Sequence, residues 1–399
     1  MCAVAKKVRI GIVGLGGAAQ QMVPSFLASD QIHIAAAADP SGDVREDFGA
    51  AFECSVYSTC EELAADPEVD CVYIASPHQW HSSQAMTAAR NGKHVIVEKP
   101  MALTLADCSK MIEAAEESGV FLIVGHTHSF GRPIKKAREI IRSGAFGRLA
   151  MINTFSYTNF LYKPRRPEEL DTSQGGGVLF NQLPHQVDMV RYLGGDVRTV
   201  RGTTTILDPR CPTEGGYIAY VEFESGAAAS LVYSGYDFFD SDEFHFWIGE
   251  LGNQRRADEH ASARTALGMS EQTQGAARKR KRTWKEVKDA WSATTAVAHP
   301  HCGVTIISCE RGDIRFSPRG LLIYSANGVE ELDIPLSPAY PDKSGVVDEV
   351  VDAVLNGVPP VHDGRWGRAT MEVCLALQQA ANAGWEGRLE REQSTAHKQ

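Results

Sequence analysis

The N-terminal third of the chain alternates short apolar runs with longer stretches in which apolar residues recur at helical spacing. Five runs rich in β-branched and other apolar residues predict strands, at 8–13, 32–39, 70–76, 94–99 and 120–126. Before the fifth run, Thr104 and Asp107 have the spacing of a helix N-terminal cap, and Gly119 marks the end of that helix. Strands that alternate with helices build parallel sheets, so we predict an α/β domain over residues 1–130.

The pattern changes after residue 131. A helix from Pro133 to Ser143, a strand and a glycine-rich loop with a second helix come first. The later runs alternate apolar and polar residues, are joined by Gly or Asn-Gly turns, and predict antiparallel strands at 215–226, 227–237, 244–250, 303–317 and 320–332. We therefore predict an α+β domain with an open, mostly antiparallel sheet over residues 131–399.

Two segments interrupt this second domain. Residues 252–299 are polar and include a strongly basic run at 278–288, which we interpret as a solvated surface insertion. A mobile lid or a contribution to another subunit are the alternatives. Residues 346–384 predict two helices, and the tail after Arg388 is expected to be frayed.

Composition narrows the class of protein. The 399 residues are 43% hydrophobic and 23% charged, which is typical of a globular protein with more than one core. The net charge of −10 disfavours nucleic acid as a partner. The nine cysteines never form Cys-x-x-Cys, so neither a metal site nor a disulfide framework is predicted. No run approaches the roughly 20 apolar residues of a membrane span, and no leader pattern is present, so we expect a cytoplasmic protein without a membrane partner.

The turn after the first predicted strand has the dinucleotide-binding pattern G-x-G-x-x-A. Its small residues are Gly14, Gly16, Gly17 and Ala19. They permit a tight turn and a close approach of the backbone to a pyrophosphate, as in a Rossmann domain. Asp39 ends the second strand, where a carboxylate binds the adenosine ribose hydroxyls and repels a 2′-phosphate. The pattern predicts NAD as the cofactor and makes NADP the less favoured one.

Two more motifs end predicted strands, at the edge of the sheet where α/β domains bind their ligands. They supply further candidate cofactor-binding residues: Ser76, Pro77, His78, His81, Glu98 and Lys99. The histidines of this group have a second interpretation, because a histidine in such a pocket often only packs.

The strand-end motifs, together with Gly175-Gly176-Gly177 and His185-x-x-Asp188, resemble those of the Gfo/Idh/MocA oxidoreductases over residues 8–385. The resemblance implies that Lys99 lies beside the nicotinamide and the substrate oxygen, and that His185 is the acid/base group. Where the family more often has Asp-x-Gly-x-His, this chain has Asn181, which retains hydrogen bonding but removes a charge. Pro184 predicts a helix start, whose positive end favours a neutral His185 imidazole.

Residues 125–130, 160–170, 180–188 and 233–237 look like the branch of this family that acts on cis-dihydrodiols of aromatic acids such as phthalate. We expect Arg165 and Arg166 to bind substrate carboxylates, because a guanidinium matches carboxylate geometry, and His126 and His128 to line the substrate pocket. A sugar or inositol dehydrogenase, and a dinucleotide-sensing regulator without catalysis, are the alternatives. The apolar sheet residues predict a homodimer or homotetramer.

Overall fold

The computed structural model describes residues 6–125, 128–163, 167–257, 259–270, 283–293, 296–338, 340–383 and 387–388. Its first sheet is parallel and contains six strands, β1 (Val8–Val13), β2 (Ile32–Ala38), β3 (Ser55–Tyr57), β4 (Cys71–Ile74), β5 (His94–Glu98) and β6 (Leu122–Gly125). The strand order is β3-β2-β1-β4-β5-β6, which confirms the predicted α/β sheet and adds the short β3.

Five helices complete this layer, α1 (Gly17–Ala28), α2 (Gly42–Phe52), α3 (Cys60–Ala64), α4 (His81–Arg90) and α5 (Leu105–Glu117). The hydroxyl of Thr104 accepts a hydrogen bond from the Asp107 backbone N–H at 3.1 Å, as its spacing predicts. Val95 and Val97 of β5 pack in one buried cluster and Ile96 packs in another, so the sheet is covered on both faces.

The second sheet has nine strands, β7 (Leu149–Tyr157), β8 (Val197–Thr205), β9 (Gly216–Phe223), β10 (Ala228–Ser234), β11 (Val304–Cys309), β12 (Gly312–Ser317), β13 (Gly320–Ser325), β14 (Gly328–Asp333) and β15 (Gly387–Arg388). Their order is β14-β13-β12-β11-β7-β10-β9-β8-β15. Only β7 and β10 pair in parallel among these described strands, so the predicted mostly antiparallel sheet is confirmed.

The remaining helices are α6 (Arg132–Arg142), α7 (Gly177–Asn181), α8 (Leu183–Gly194), α9 (Ser262–Ser270), α10 (Trp284–Ala293), α11 (Ser344–Asn356) and α12 (Gly364–Ala383). The two predicted C-terminal helices are thus confirmed. Helix α12 joins the domains, because the indole N–H of Trp366 donates to Asp188 on α8 at 2.6 Å and Asp363 forms a β-bridge with Ile123 of β6. The domain boundary at residue 130 stays a prediction.

The strand predicted at 244–250 is wrong. Residues Ser241–His245 form a 3₁₀ turn, and Phe246 and Trp247 follow with φ of 60° and 57°. Positive φ angles are incompatible with an extended strand, so the chain bends at the aromatic residues that suggested a β-strand. Only Ile248 makes a bridge there, to Gln254.

The interpretation of 252–299 as a solvated insertion is wrong for α10. Trp284 is only 2% exposed, and its ring packs edge-on against Phe48 of α2 at 4.8 Å. The backbone N–H of Trp284 donates to Asp47 at 2.8 Å, and Lys288 Nζ donates to the Ala51 carbonyl. The segment therefore returns to the first domain. Residues 271–282, with five of the seven basic residues of the 278–288 run, lie outside the described residues.

Candidate active site

The glycine-rich turn after β1 has the shape that a pyrophosphate requires. Gly14 has a φ of 87°, and a Cβ there would lie 2.7 Å from the backbone nitrogen of Ser76. A Cβ on Gly16 or Gly17 would meet no heavy atom within 4 Å, so the space in front of the N-terminus of α1 is open. Open space before a helix N-terminus suits a phosphate group, and these residues fit a dinucleotide.

Asp39 directly follows β2 and faces this turn. Its carboxylate accepts hydrogen bonds from the backbone N–H groups of Leu15 and Ser41, both at 2.9 Å. Arg45 Nη1 donates to the carbonyl oxygens of Asp39 at 2.7 Å and Pro40 at 3.0 Å. The carboxylate therefore fixes the glycine-rich turn relative to the start of α2, at the position where a dinucleotide places its adenosine ribose.

The predicted residues after β4 separate into two kinds. His81 is fully buried, and its ring nitrogens lie 2.8 Å from the Pro100 carbonyl oxygen and 3.0 Å from that of Ser76. Burial lowers the pKa of His81. This side chain ties the ends of β4 and β5 together. His78 instead reaches across the cleft, with Nδ1 3.2 Å from the carbonyl oxygen of Gly175.

Glu98 also points into the protein. The hydroxyl of Tyr73 donates to its carboxylate at 2.7 Å, and Lys343 Nζ lies 3.7 Å from the same oxygen. Burial alone would raise the pKa of Glu98, but Lys343 and the Tyr73 hydrogen bond lower it below its ordinary value. The carboxylate thus stays charged and anchors the end of β5. The roles predicted for Pro77, His78, His81 and Glu98 toward the cofactor stay predictions.

Lys99 joins the two domains at the predicted catalytic position. Its Nζ donates a hydrogen bond to the backbone carbonyl oxygen of Asn181 at 2.9 Å. The Asn181 side-chain amide donates to the Gly177 carbonyl oxygen at 3.0 Å, within α7. His185 follows on the first turn of α8, where Pro184 occupies the expected helix start, and it is only 7% exposed. The Lys99–Asn181 contact therefore brings the end of β5 against the helices that carry His185.

A carboxylate that the sequence did not indicate completes the site. The rings of His128 and His185 pack edge to face with centroids 4.7 Å apart. Glu250 Oε1 lies 3.6 Å from His128 Nε2. Although burial raises the pKa of Glu250, His128 and Lys163 outweigh it and lower that pKa to about 2. Glu250 ends the run predicted as a strand and belongs to no motif, so no local signal identified it.

Cys302 is a buried thiol close to the candidate site. Burial raises the pKa of the Cys302 thiol; the Glu250 carboxylate raises it further, and the Lys99 ammonium opposes this. Both charges therefore act on the same buried thiol. The other predicted substrate residues, His126, Arg165 and Arg166, lie outside the described residues.

The glycine-rich turn after β1 and Asp39 after β2, on a parallel six-stranded sheet, are typical of an NAD-binding Rossmann domain. Residues 8–126 match the model of the Gfo/Idh/MocA oxidoreductase family, NAD-binding Rossmann fold, and residues 134–251 match a Gfo/Idh/MocA C-terminal domain. The chain belongs to the Gfo/Idh/MocA family. Among the described residues, no helix combines the length and apolar character that crossing a membrane demands.

Some known proteins match nearly the whole chain, and others match about half of it. The chain is 40% identical to 1-carboxy-3-chloro-3,4-dihydroxycyclohexa-1,5-diene dehydrogenase of Comamonas testosteroni, over 92% of this chain and 94% of that one. It is 31% identical to myo-inositol 2-dehydrogenase of Thermotoga maritima, over 47% and 55%. A crystal structure described as a dehydrogenase from Bordetella bronchiseptica RB50 matches with a TM-score of 0.86 at 40% identity, covering 96% of this chain and all of that one.

Proposed function

We propose that the protein oxidises a cis-dihydrodiol of an aromatic carboxylic acid, converting phthalate 4,5-cis-dihydrodiol to 4,5-dihydroxyphthalate. The observation that carries the proposal is the 40% identity, over 92% of the chain, to a dehydrogenase whose name specifies a carboxylated dihydroxycyclohexadiene. The sugar and inositol dehydrogenases match about half of the chain or less, which favours the cyclic diol acid over a polyol.

The bound NAD⁺ supplies the acceptor for the hydride that leaves the carbinol carbon of the diol. As that C–H bond breaks, the hydroxyl on the same carbon must lose its proton. Lys99 Nζ and the His185 imidazole lie at the junction of the two domains, where they can take this proton. The resulting hydroxy-enone then tautomerises to the catechol, and the gain of aromaticity makes oxidation effectively one-way.

The surroundings of this pair suit an acidic substrate. The protein has a net charge of −10, so a dicarboxylate needs local cations to approach the cleft. Lys163 lies close enough to Glu250 to lower its pKa, and it directly precedes the Pro164-Arg165-Arg166 segment. We propose that Arg165 and Arg166 bind the substrate carboxylates, since a guanidinium pairs with a carboxylate through two parallel hydrogen bonds.

NADH absorbance with a panel of diols tests the proposed reaction. The panel contains phthalate 4,5-cis-dihydrodiol, an uncarboxylated cis-dihydrodiol, myo-inositol and glucose, and we expect turnover of the first alone. Lys99→Met and His185→Ala should each lower kcat at least about 10²-fold and leave the NADH affinity largely unchanged, because a positioned acid/base group contributes that much to rate. His33→Ala, which removes an exposed histidine of β2, is the matched control.

Oxidation of inositol or glucose in preference to the dihydrodiol would show that the substrate class is wrong, while membership of the family would stand. Near-normal turnover in either the Lys99 or the His185 variant would show that the proton is taken elsewhere. A protein that binds NADH but oxidises no member of the panel would favour the dinucleotide-sensing alternative.

A further inference from the structure

Three side chains of the active site have the composition of a metal centre. His128, His185 and Glu250 each offer one ligand atom, and these atoms all lie within 4.8 Å of one another. They are the only such group of three among the described residues. Each comes from a different segment, since His128 follows β6, His185 begins α8 and Glu250 follows β10. The fold, rather than a local motif, brings them together.

The separations are close to those of a coordinated cation. Zinc binds histidine nitrogen and carboxylate oxygen at about 2.0–2.2 Å in tetrahedral geometry, which places neighbouring ligand atoms about 3.4 Å apart. His128 Nε2 and Glu250 Oε1 are already 3.6 Å apart. Since no pair among the three exceeds 4.8 Å, an approach of at most about 1.4 Å completes the geometry.

Backbone hydrogen bonds hold the segment that presents Glu250. The Glu250 carbonyl oxygen accepts from the His301 N–H at 3.0 Å, and the Gly249 N–H donates to the Asn253 carbonyl oxygen at 2.8 Å. Arg255, five residues further on, forms buried ion pairs with Asp240 and Asp242 at 2.5 and 2.6 Å. The carboxylate itself remains 40% exposed toward the cleft. It is thus on a fixed backbone with room to reorient, as a ligand to an exchangeable ion requires.

His128 is held as firmly. Its carbonyl oxygen accepts from the Gly131 N–H at 2.8 Å. The next residue, Ser129, places its hydroxyl 2.9 Å from Nε2 of the buried His362. The His128 imidazole is buried and lies edge-on to His185, so the two rings face one small volume beside the Glu250 carboxylate. These contacts on either side of the imidazole restrain the position of the His128 backbone.

We propose that His128, His185 and Glu250 bind a divalent cation of the zinc class. Two imidazoles and one carboxylate are a donor set of catalytic zinc sites, which keep a fourth position for water or substrate. Magnesium and calcium prefer all-oxygen sites, so two nitrogen donors argue for a transition metal. This assignment departs from the prediction of no metal site, which rested on the absence of cysteine motifs.

The role of the ion rests on the proposed function, although its binding does not. A cation at this position would take one hydroxyl oxygen of the diol in its fourth position and lower the pKa of that hydroxyl. The proton released as hydride leaves would pass to the neutral amine form of Lys99, whose Nζ contacts the backbone at Asn181. His185 would act in this scheme as a ligand and not as the base, so His185→Ala lowers kcat in either scheme.

Metal analysis of the purified protein tests binding independently of activity. The protein is dialysed against a chelator, re-titrated with Zn²⁺, and separately loaded with Co²⁺, whose visible absorption reports tetrahedral coordination. We expect about one Zn²⁺ per chain. Glu250→Gln and His128→Ala should each weaken Zn²⁺ binding more than the roughly 10- to 100-fold that loss of an outer-shell partner costs. His33→Ala removes an exposed histidine of β2, in the other domain, and should bind Zn²⁺ as the unmutated protein does.

Glu250→Gln is the decisive variant because it replaces one carboxylate oxygen by an amide nitrogen and preserves the shape of a side chain that is 40% exposed, so it should fold even if His128→Ala does not. Zinc bound equally well by this variant, or no stoichiometric binding by the unmutated protein, overturns the proposal. A chelated protein that oxidises the dihydrodiol at full rate removes the catalytic role of the ion and leaves the proposed function intact. A protein that binds Zn²⁺ but oxidises no diol supports the site and contradicts the function.

Discussion

The choice between NAD and NADP depends on one carboxylate, and its effect can be estimated from the structure. Asp39 lies at the end of β2 and accepts two backbone hydrogen bonds, from Leu15 and Ser41. These bonds fix its charge at the place where a Rossmann domain receives the adenosine ribose. The perturbation we choose is Asp39→Asn, because the amide retains an acceptor for one of these N–H groups while it removes the charge.

The 2′-phosphate of NADPH carries a charge of about −1.5 to −2. At about 4 Å from a carboxylate, each unit of charge costs about 1 kcal/mol even at the dielectric constant of water. The repulsion is therefore about 1.5–2 kcal/mol, a factor of about 10–30 in affinity. Arg45 lies beside Asp39 and opposes this repulsion, but its Nη1 is already engaged by two carbonyl oxygens. We expect the unmutated protein to bind NADH about 10- to 30-fold more tightly than NADPH.

Fluorescence titration with both reduced cofactors measures the two dissociation constants. Asp39→Asn should reduce the preference for NADH about 10- to 30-fold. Asp43→Asn removes the same charge from the exposed first turn of α2 and should change the preference less than about threefold. Equal or tighter binding of NADPH by the unmutated protein would refute the reasoning, and so would an Asp43 variant that behaves like the Asp39 variant.

Four further expectations follow from the described contacts and the proposed function. Arg165→Ala or Arg166→Ala should raise KM for phthalate dihydrodiol at least tenfold, about 1.4 kcal/mol, without change in NADH affinity; normal kinetics in both would contradict carboxylate binding. Trp284→Ala removes a ring buried against Phe48 and should cost about 3 kcal/mol in the packing of α10 against the first domain. The loss is measured as a lower Tm and faster proteolysis near α10, and Trp80→Ala, which removes an exposed ring, is the control. Glu349 accepts a hydrogen bond from the buried His362 at 2.9 Å, and although burial raises the pKa of Glu349, His362 lowers it below the ordinary value. The stabilisation from this contact is present above the unfolded pKa of about 4.3 and is lost as pH falls through the folded pKa. The Tm of Glu349→Gln should therefore be lower at pH 7, and should decline less steeply in acid, than the Tm of the unmutated protein. Ile218 and Tyr220 are 57% and 42% exposed on β9, so light scattering should give the mass of a dimer or tetramer, and Ile218→Lys with Tyr220→Lys should give a monomer; a monomeric unmutated protein at micromolar concentration would contradict the prediction.

The sequence predicts the first domain well because each of its signals is local. The strands of a two-sided parallel sheet are continuous apolar runs, and Gly14 and Asp39 follow the strands that position them. The exception is β3, whose three residues are exposed or half-buried and so have no apolar pattern to find. In the second domain, apolar and polar residues alternate along the half-buried strands, and the sheet could be predicted from that alternation.

Two failures have a common physical cause. Residues 244–250 have the aromatic composition of a strand, but Phe244 and Phe246 are 49% and 58% exposed, so no sheet face selects their alternation. The insertion at 252–299 is polar on average, yet one tryptophan within it is buried against a helix more than 200 residues earlier. In both segments, the conformation depends on distant contacts that local periodicity does not encode.

Glu250 shows what this means for the chemistry of the site. The sequence has Asn181 where the family more often has an aspartate, which suggested that the histidines lack a carboxylate. The structure supplies one from another segment, 3.6 Å from His128, because the Glu250 backbone pairs with His301 at the start of the second half of the sheet. The family motif therefore underestimates the charge of this site. Glu250 is therefore the residue to change first, because it contributes a negative charge to the site without belonging to the motif.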